Sequence, residues 1–237
     1  MKKIIAIGGF EDLFLYYLRI LDKYPNKEEV LLYYTDKNFQ LYNKLYGMFL
    51  SMQKIKYQLF NITKDELLEY NKNYDYLIED QNVNNDKIEI KIDLNNFNLH
   101  LPTNVITEFL EKKSKLVVVQ LSTIYPNKNK IIWDDEILEL FLNTFPNIVF
   151  IGADTIYTHK NNFTYMSMID QFHLIKHAKL FIGENSIYSY YAAMLSIPQI
   201  LHKTKKNLYF FNWGNLLHFS ETNETLKNLI IDYGRKN

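Results

Sequence analysis

The chain has no cysteine, which excludes disulfides and thiolate metal sites and leaves the redox compartment unreadable. It has no excess of charge either, since 27 Lys plus Arg balance 27 Asp plus Glu. No general electrostatic pull toward nucleic acid or an anionic membrane follows from that balance. Long apolar runs are missing, and none nears the ~20 residues that cross a bilayer. The opening "MKKIIAIGGFED" pairs two lysines with apolar residues, but the run is too short for a signal peptide and an acidic pair follows at once. There is no Gly-x-x-x-x-Gly-Lys-Ser/Thr run, so a P-loop is not expected, and no Gly-x-Ser-x-Gly elbow. Of the histidines at 100, 159, 173, 177, 202 and 218, only His173 and His177 stand four apart. No glutamate is placed to complete a zinc-hydrolase pattern, so this pair reads as a helix surface pair and no metal site is expected. The Asn-x-Thr sequons at Asn61, Asn162 and Asn223 read as chance in an Asn-rich chain. A cytoplasmic protein is expected, with peripheral contact at the inner face of a membrane left open.

What is present fits a soluble globular protein: 237 residues, 47% apolar and 23% charged, enough for one large or two small domains. Short apolar runs alternate with helical periodicity. "KKIIAIGG", "EVLLYYTD", "KYQLFNIT" and "YDYLIED" read as strands, separated by "FEDLFLYYLRILDKY", "KNFQLYNKLYGMFLSM" and "KDELLEY" as helices. "QNVNNDKIEIKIDLNNFNLHLPTN" breaks the rhythm and reads as an irregular crossover, followed by a connecting helix in "VITEFLEKK". The alternation then restarts. "KLVVVQLST", "NIVFIGAD", "KLFIGEN" and "PQILH" read as strands, the last starting at its proline. "DDEILELFLNTF", "MIDQFHLIKHA", "SIYSYYAAMLSI" and "ETLKNLIIDYG" read as helices, with Ile169, Phe172 and Ile175 on one stripe of the second. Strands alternating with helices predict parallel βαβ units, hence two compact, Rossmann-like, doubly wound α/β lobes over residues 1–102 and 103–237.

In parallel sheets the strand-to-helix turns share one edge, where ligands bind. The first lobe brings Gly8, Gly9, Glu11 and Asp12 to that edge. The second brings Ser122 and Thr123, then Asp154 and Thr155, then Glu184, Asn185 and Ser186. Helix N-termini offer free N–H groups that favour phosphate, and a nearby carboxylate can accept from a ribose hydroxyl. Each piece also has a plainer reading. "GGFED" lacks the third glycine of a dinucleotide fingerprint. Ser186 can be a simple N-cap, worth ~1 kcal/mol. Lys203, Lys205 and Lys206 read as a solvated loop.

Residues Lys115 to Trp213 resemble the C-terminal domain of the ADP-heptose:lipopolysaccharide heptosyltransferase family, which has the GT-B fold. That family reads a strand, then Asp-Ser/Thr-Gly-Pro-x-His, an Ala-rich helix, a small residue and Pro. "GENSIYSYYAAMLSIP" follows the same frame. Asn185 stands at the aspartate, Ser186 at the hydroxyl, Ile187 at the glycine and Tyr190 at the histidine, while Ala192, Ala193 and Pro198 agree. "VVQLSTIYPNKNKIIW" resembles the phosphate loop, with Ser122, Thr123 and Lys130 in its places, and Asp154 falls near the ribose-binding acid. "GGFEDLFLYYLRIL" resembles the opening turn, whose proposed general base matches Asp12.

The resemblance implies a metal-independent glycosyltransferase that uses a nucleotide-sugar as substrate and needs no cofactor. The nucleotide would lie on the second lobe, in the cleft between lobes, held by Gly8, Gly9, Ser122, Thr123, Lys130, Asp154, Glu184, Asn185, Ser186 and Tyr190. Asp12 would take the proton of an acceptor hydroxyl, on a glycan or another molecule. Two alternatives stay open: a nucleotide-sugar hydrolase on the same fold, and a degenerate, non-catalytic nucleotide- or glycan-binding protein. The loss of the motif's Asp and His favours the latter.

Overall fold

The computed structural model describes the backbone of four N-terminal strands and residues 116–122, 133–153, 157–202 and 217–236. The chain divides into two compact units, Met1–Pro102 and Thr103–Asn237.

In the first unit the strands are β1 (Lys3–Ile7), β2 (Glu29–Tyr33), β3 (Lys56–Phe60) and β4 (Tyr76–Asp80). They are the four apolar runs expected from the sequence. They pair in parallel in the order β3-β2-β1-β4. The order reverses between β1 and β4, whose last residues, Ile7 and Asp80, pair in register. Gly8, Gly9 and Asp12 follow Ile7 and lie outside the described residues, as do the irregular crossover and the helix expected at "VITEFLEKK".

The second unit is a parallel five-stranded sheet with helices on both faces. Its strands are β5 (Leu116–Gln120), β6 (Ile148–Ile151), β7 (Ala178–Gly183), β8 (Gln199–His202) and β9 (Leu217–Ser220). They run in the order β6-β5-β7-β8-β9, every pair parallel. Strands covered on both faces read as unbroken apolar runs rather than as an alternation, which is why "LVVVQ" and "IVFI" are buried throughout. The helices are α1 (Asp135–Thr144), α2 (Met168–Lys176), α3 (Ile187–Met194) and α4 (Asn223–Lys236). Among the described residues no helix is long and apolar enough to cross a membrane.

Alternation along each strand sorts the core into two layers. Val117, Val119, Ile148, Phe150, Leu180, Ile182 and Ile200 pack with Ile137 and Phe141 of α1 and Leu226 and Ile230 of α4. On the other face α2 and α3 pack together, with Phe172 against Tyr191 at 4.6 Å between ring centroids. Burying one such side chain fully contributes ~1.5–3 kcal/mol relative to leaving it exposed. Burial also pushes the Tyr191 hydroxyl well above the usual tyrosine range.

The helices start where local chemistry dictates. Asp134 caps α1 by accepting from the Ile137 N–H at 2.9 Å. Ser167 caps α2 by accepting from the Asp170 N–H at 3.2 Å, and its hydroxyl donates to the Asp170 carboxylate at 2.7 Å. Helix α3 ends in a Schellman turn: the Ser196 N–H donates to Ala193 O at 2.8 Å and the Ile197 N–H to Ala192 O at 3.0 Å. Ser196 sits there at φ +55°, a left-handed conformation that disfavours any Cβ. Ser196→Gly should therefore stabilise the protein by about 0.5–1 kcal/mol, the relief of the left-handed strain less glycine's extra chain entropy. Thermal denaturation should show a rise of roughly 1–4 °C. An unchanged or lower midpoint would mean the serine carries no strain there.

Three details differ from the sequence reading. β8 begins at Gln199, one residue after Pro198, whose carbonyl accepts from the Phe181 N–H at 2.9 Å. β9 is an additional strand: "LHFS" is short, carries His218 and Ser220, and is extended because β8 offers it a pairing edge. The stripe on α2 is broader than three residues and centred differently, with Ile169 only half-buried and Gln171 and His173 inside. His173 is therefore not part of a surface pair: it is 6% exposed, and only His177 faces solvent.

Candidate functional site

Within the second sheet, β5 has β6 on one side and β7 on the other. The strand order thus reverses at the C-terminal ends of β5 and β7, the place where open α/β sheets form a ligand crevice. Four of the sequence-predicted residues gather at this rim: Ser122 just past β5, and Glu184, Asn185 and Ser186 in the turn from β7 to α3. Thr123, Lys130 and Asp154 lie outside the described residues.

The rim is joined by a buried amide. Gln120, the last residue of β5, is fully buried. Its Oε1 accepts from the Ser186 hydroxyl at 2.9 Å and lies 3.4 Å from the Glu184 N–H, while its Nε2 donates to Ser122 O at 3.1 Å. One side chain thus ties both sides of the crevice. It fits because residue 183 is glycine, since a Cβ there would stand 2.7 Å from Gln120 Oε1 and 2.8 Å from the Phe181 ring. The β5 end is held from the other face as well, where Trp133 Nε1 donates to Gln120 O at 2.7 Å. The Trp133 ring rests beside His202, centroids 5.2 Å apart, and His202 Nδ1 meets Ser220 Oγ at 2.7 Å.

The neighbouring turn after β6 is fixed in the same manner. Gln171 on α2 grips Gly152 from both sides, its Oε1 accepting from the Gly152 N–H at 2.8 Å and its Nε2 donating to Gly152 O at 3.0 Å. The Ser122 hydroxyl donates to Ala153 O at 2.9 Å. Asp154 follows this clamped pair in sequence.

At the start of α3, the Ser186 N–H donates to Ser189 Oγ at 3.0 Å and the Ser189 hydroxyl donates to Ser186 O at 2.7 Å. Ser186 is fully buried, so its hydroxyl serves the turn itself, while Glu184 and Asn185 are half-exposed on the rim. Tyr190, one turn into α3, is 5% exposed and belongs to the packed interior. The exposed face of the turn therefore offers the Glu184 carboxylate and part of the Asn185 side chain, whose amide oxygen is buried, beside the positive end of a helix. A carboxylate repels a phosphate and accepts from a hydroxyl, so Glu184 suits the sugar part of a ligand better than its phosphates. Among the described residues no group of three or more His, Asp or Glu stands together as a metal site.

Sequence reasoning missed Gln120, Gln171 and Ser189. The first two had a signal: a lone amide inside the apolar run "LVVVQL", and an amide on the buried side of "MIDQFHLI". Buried polar groups must be hydrogen-bonded, so each demanded a partner. No protein-family model matches the chain, and no curated protein matches it either.

Proposed function

We propose that the chain is a metal-independent glycosyltransferase of GT-B type, similar to the ADP-heptose:lipopolysaccharide heptosyltransferases, whose second unit holds the nucleotide of a nucleotide-sugar. The observation that carries this reading is the gathering of Ser122, Glu184, Asn185 and Ser186 at the β5/β7 crevice. The family frame assigns Ser122, Asn185 and Ser186 to the donor, Glu184 joins them by its place after β7, and the crevice is where such sheets bind ligands.

In this reading Glu184 or Asp154 accepts from the ribose hydroxyls. Asn185 and the start of α3 meet the phosphate or the sugar, and Thr123 and Lys130 complete the cradle. Ser122 and Ser186, both buried, hold the rim in shape. Asp12 takes the proton of the acceptor hydroxyl, the acceptor oxygen bonds to the anomeric carbon, and the bond from that carbon to the diphosphate breaks. The charge that collects on the leaving diphosphate is stabilised by fixed donors and a lysine. A cytoplasmic enzyme acting on a soluble or membrane-borne glycan fits this chemistry.

The test is ligand-dependent stability with ADP, UDP, GDP and CDP. A ligand selective for the native state at a hundred times its Kd stabilises by about 2.7 kcal/mol, which should raise the melting midpoint by roughly 5–10 °C. No shift with any of the four at millimolar concentration would remove the donor site. Where a nucleotide-sugar binds, free sugar released without an acceptor would make the chain a hydrolase.

One observation favours a second reading, binding without turnover. Ile187 and Tyr190, which stand in the places of the family's glycine and histidine, are both buried in α3. Nucleotide binding with no turnover across a donor and acceptor screen would establish it.

A further inference from the structure

The segment after β6 carries two aromatic rings that the rim network leaves unused. Tyr157 and His159 lie nearly parallel, 19° apart in plane with centroids 6.2 Å apart. Both stand edge-on to Phe150 of β6, at 5.2 Å and 5.6 Å. Both are half-buried, so each keeps part of its surface open. A separation of 6.2 Å is well beyond direct face-to-face contact, which brings carbons to ~3.5–4.0 Å, and only slightly short of the ~7 Å that one flat ring between them would need.

The loop that presents these rings is built rather than loose. Asn162 Nδ2 donates to Tyr157 O at 2.7 Å, and the Asn161 N–H donates to His159 Nδ1 at 3.1 Å. Asn161 Nδ2 donates to Ile148 O at 2.9 Å, the Phe150 N–H to Asn161 O at 2.9 Å, and the Phe163 N–H to Phe150 O at 2.8 Å. The loop thus caps the open edge of β6 and is ordered before any ligand arrives, which lowers the entropy cost of binding. Because His159 Nδ1 accepts, the ring is neutral with its proton on Nε2. Burial, and then the neighbouring Lys160 charge, hold its pKa below the usual histidine value, in keeping with a neutral stacking surface.

The rings also pack on the α1 face of the sheet, against Phe150. Tyr157 packs against the apolar layer to which Ile137 and Leu138, in the first turn of α1, belong, and burial, then the Asp135 carboxylate, raise its hydroxyl pKa. That turn follows β5 and belongs to the same rim as the crevice. β6 is the strand next to β5, so across the sheet the strand that the rings flank stands one to two strand spacings, roughly 5–10 Å, from the β5/β7 crevice. This is the order of distance that separates the base from the diphosphate in an extended nucleotide.

We infer that Tyr157 and His159 form a stacking site for a planar nucleobase, the base end of the nucleotide whose phosphates and sugar lie at the β5/β7 crevice. The inference rests on the nucleotide-sugar reading above and adds to it where the base sits and what recognises it. The site reads a π-face rather than a hydrogen-bond edge, so it discriminates weakly among bases.

The experiment is isothermal titration of the full chain with ADP, UDP, GDP and CDP, and separately with inorganic pyrophosphate. Stacking on an aromatic side chain is worth ~1–3 kcal/mol per base. Tyr157→Leu should therefore weaken the nucleoside diphosphates by roughly five- to a hundredfold and leave pyrophosphate unchanged. His159→Gln, which removes the ring and keeps an acceptor for Asn161, should do the same without disturbing the loop. Tyr157→Phe should bind as the unaltered chain does. Unchanged nucleotide affinity in both Tyr157→Leu and His159→Gln would overturn the inference and leave the phosphate site standing. So would an equal loss for nucleotide and pyrophosphate, which would mark the rings as structural. If the unaltered chain binds none of these ligands, the proposed function fails and the stacking site with it.

Discussion

Gly152→Ala should lower the stability of the protein by about 3–5 kcal/mol. Two independent costs combine. Gly152 adopts φ +132°, a region essentially closed to residues with a Cβ, and forcing one there costs ~1–3 kcal/mol. The space is occupied as well, because a Cβ would stand 2.6 Å from Ser122 O, 2.8 Å from its Oγ and 2.9 Å from its N. Two of these are backbone atoms and cannot swing aside, so the ends of β5 and β6 must part. Parting them strains the Ser122–Ala153 bond and the double grip of Gln171, and overpacking of this kind costs ~1–3 kcal/mol more. Thermal melting should show a midpoint lower by roughly 6–20 °C. A change of a degree or two would mean that the turn rearranges freely and that Gly152 is not the pivot of this rim.

The second large effect is expected at Gln120. Gln120→Leu keeps the bulk and removes the amide. The Ser186 hydroxyl and the Glu184 N–H lose an acceptor, and Ser122 O loses a donor. Each buried group left without a partner costs ~1–3 kcal/mol, and because the Ser186 hydroxyl can turn, a total of about 2–4 kcal/mol is expected. The functional consequence should exceed the stability loss. The turn that presents Glu184 and Asn185 is tied across the crevice by this amide, so nucleoside diphosphate affinity should fall at least tenfold in protein that is still folded at the assay temperature. Ser186→Ala cuts the same link from the other side. The pair should therefore be non-additive, with a coupling of at least ~0.5 kcal/mol in a double-mutant cycle read by both melting and titration. Additive losses, or a destabilised chain that binds as tightly as before, would reduce Gln120 to a packing residue.

Much of the second unit is legible in the sequence because its signals are local. Four of its five strands are built on short apolar stretches, "LVVV", "IVFI", "LFI" and "IL", and helices α1 and α2 begin at Asp134 and Ser167, whose side chains cap the first turn, while at α3 the Ser189 hydroxyl accepts from the Ser186 N–H. Helix α3 stops ahead of Pro198 as expected. β9 is barely legible, since "LHFS" alternates apolar and polar residues over only four positions, too few to decide a strand; the edge of β8 makes them one. The histidine pair misleads for a similar reason. A spacing of four fixes a shared helix face but not whether that face meets water, and α2 turns His173 inward.

The candidate site divides along the same line. Residue order alone places Ser122, Glu184, Asn185 and Ser186 after the ends of parallel strands, because periodicity and turn chemistry act over a few residues. That β5 and β7 are neighbours across the reversal of strand order emerges from the folded sheet. So does the reach of Gln120 to a serine 66 residues away, and the burial that spends this serine on the turn rather than offering it to solvent. A buried polar group must find a partner, yet nothing in its local sequence says which one. That choice belongs to the order in which the strands assemble.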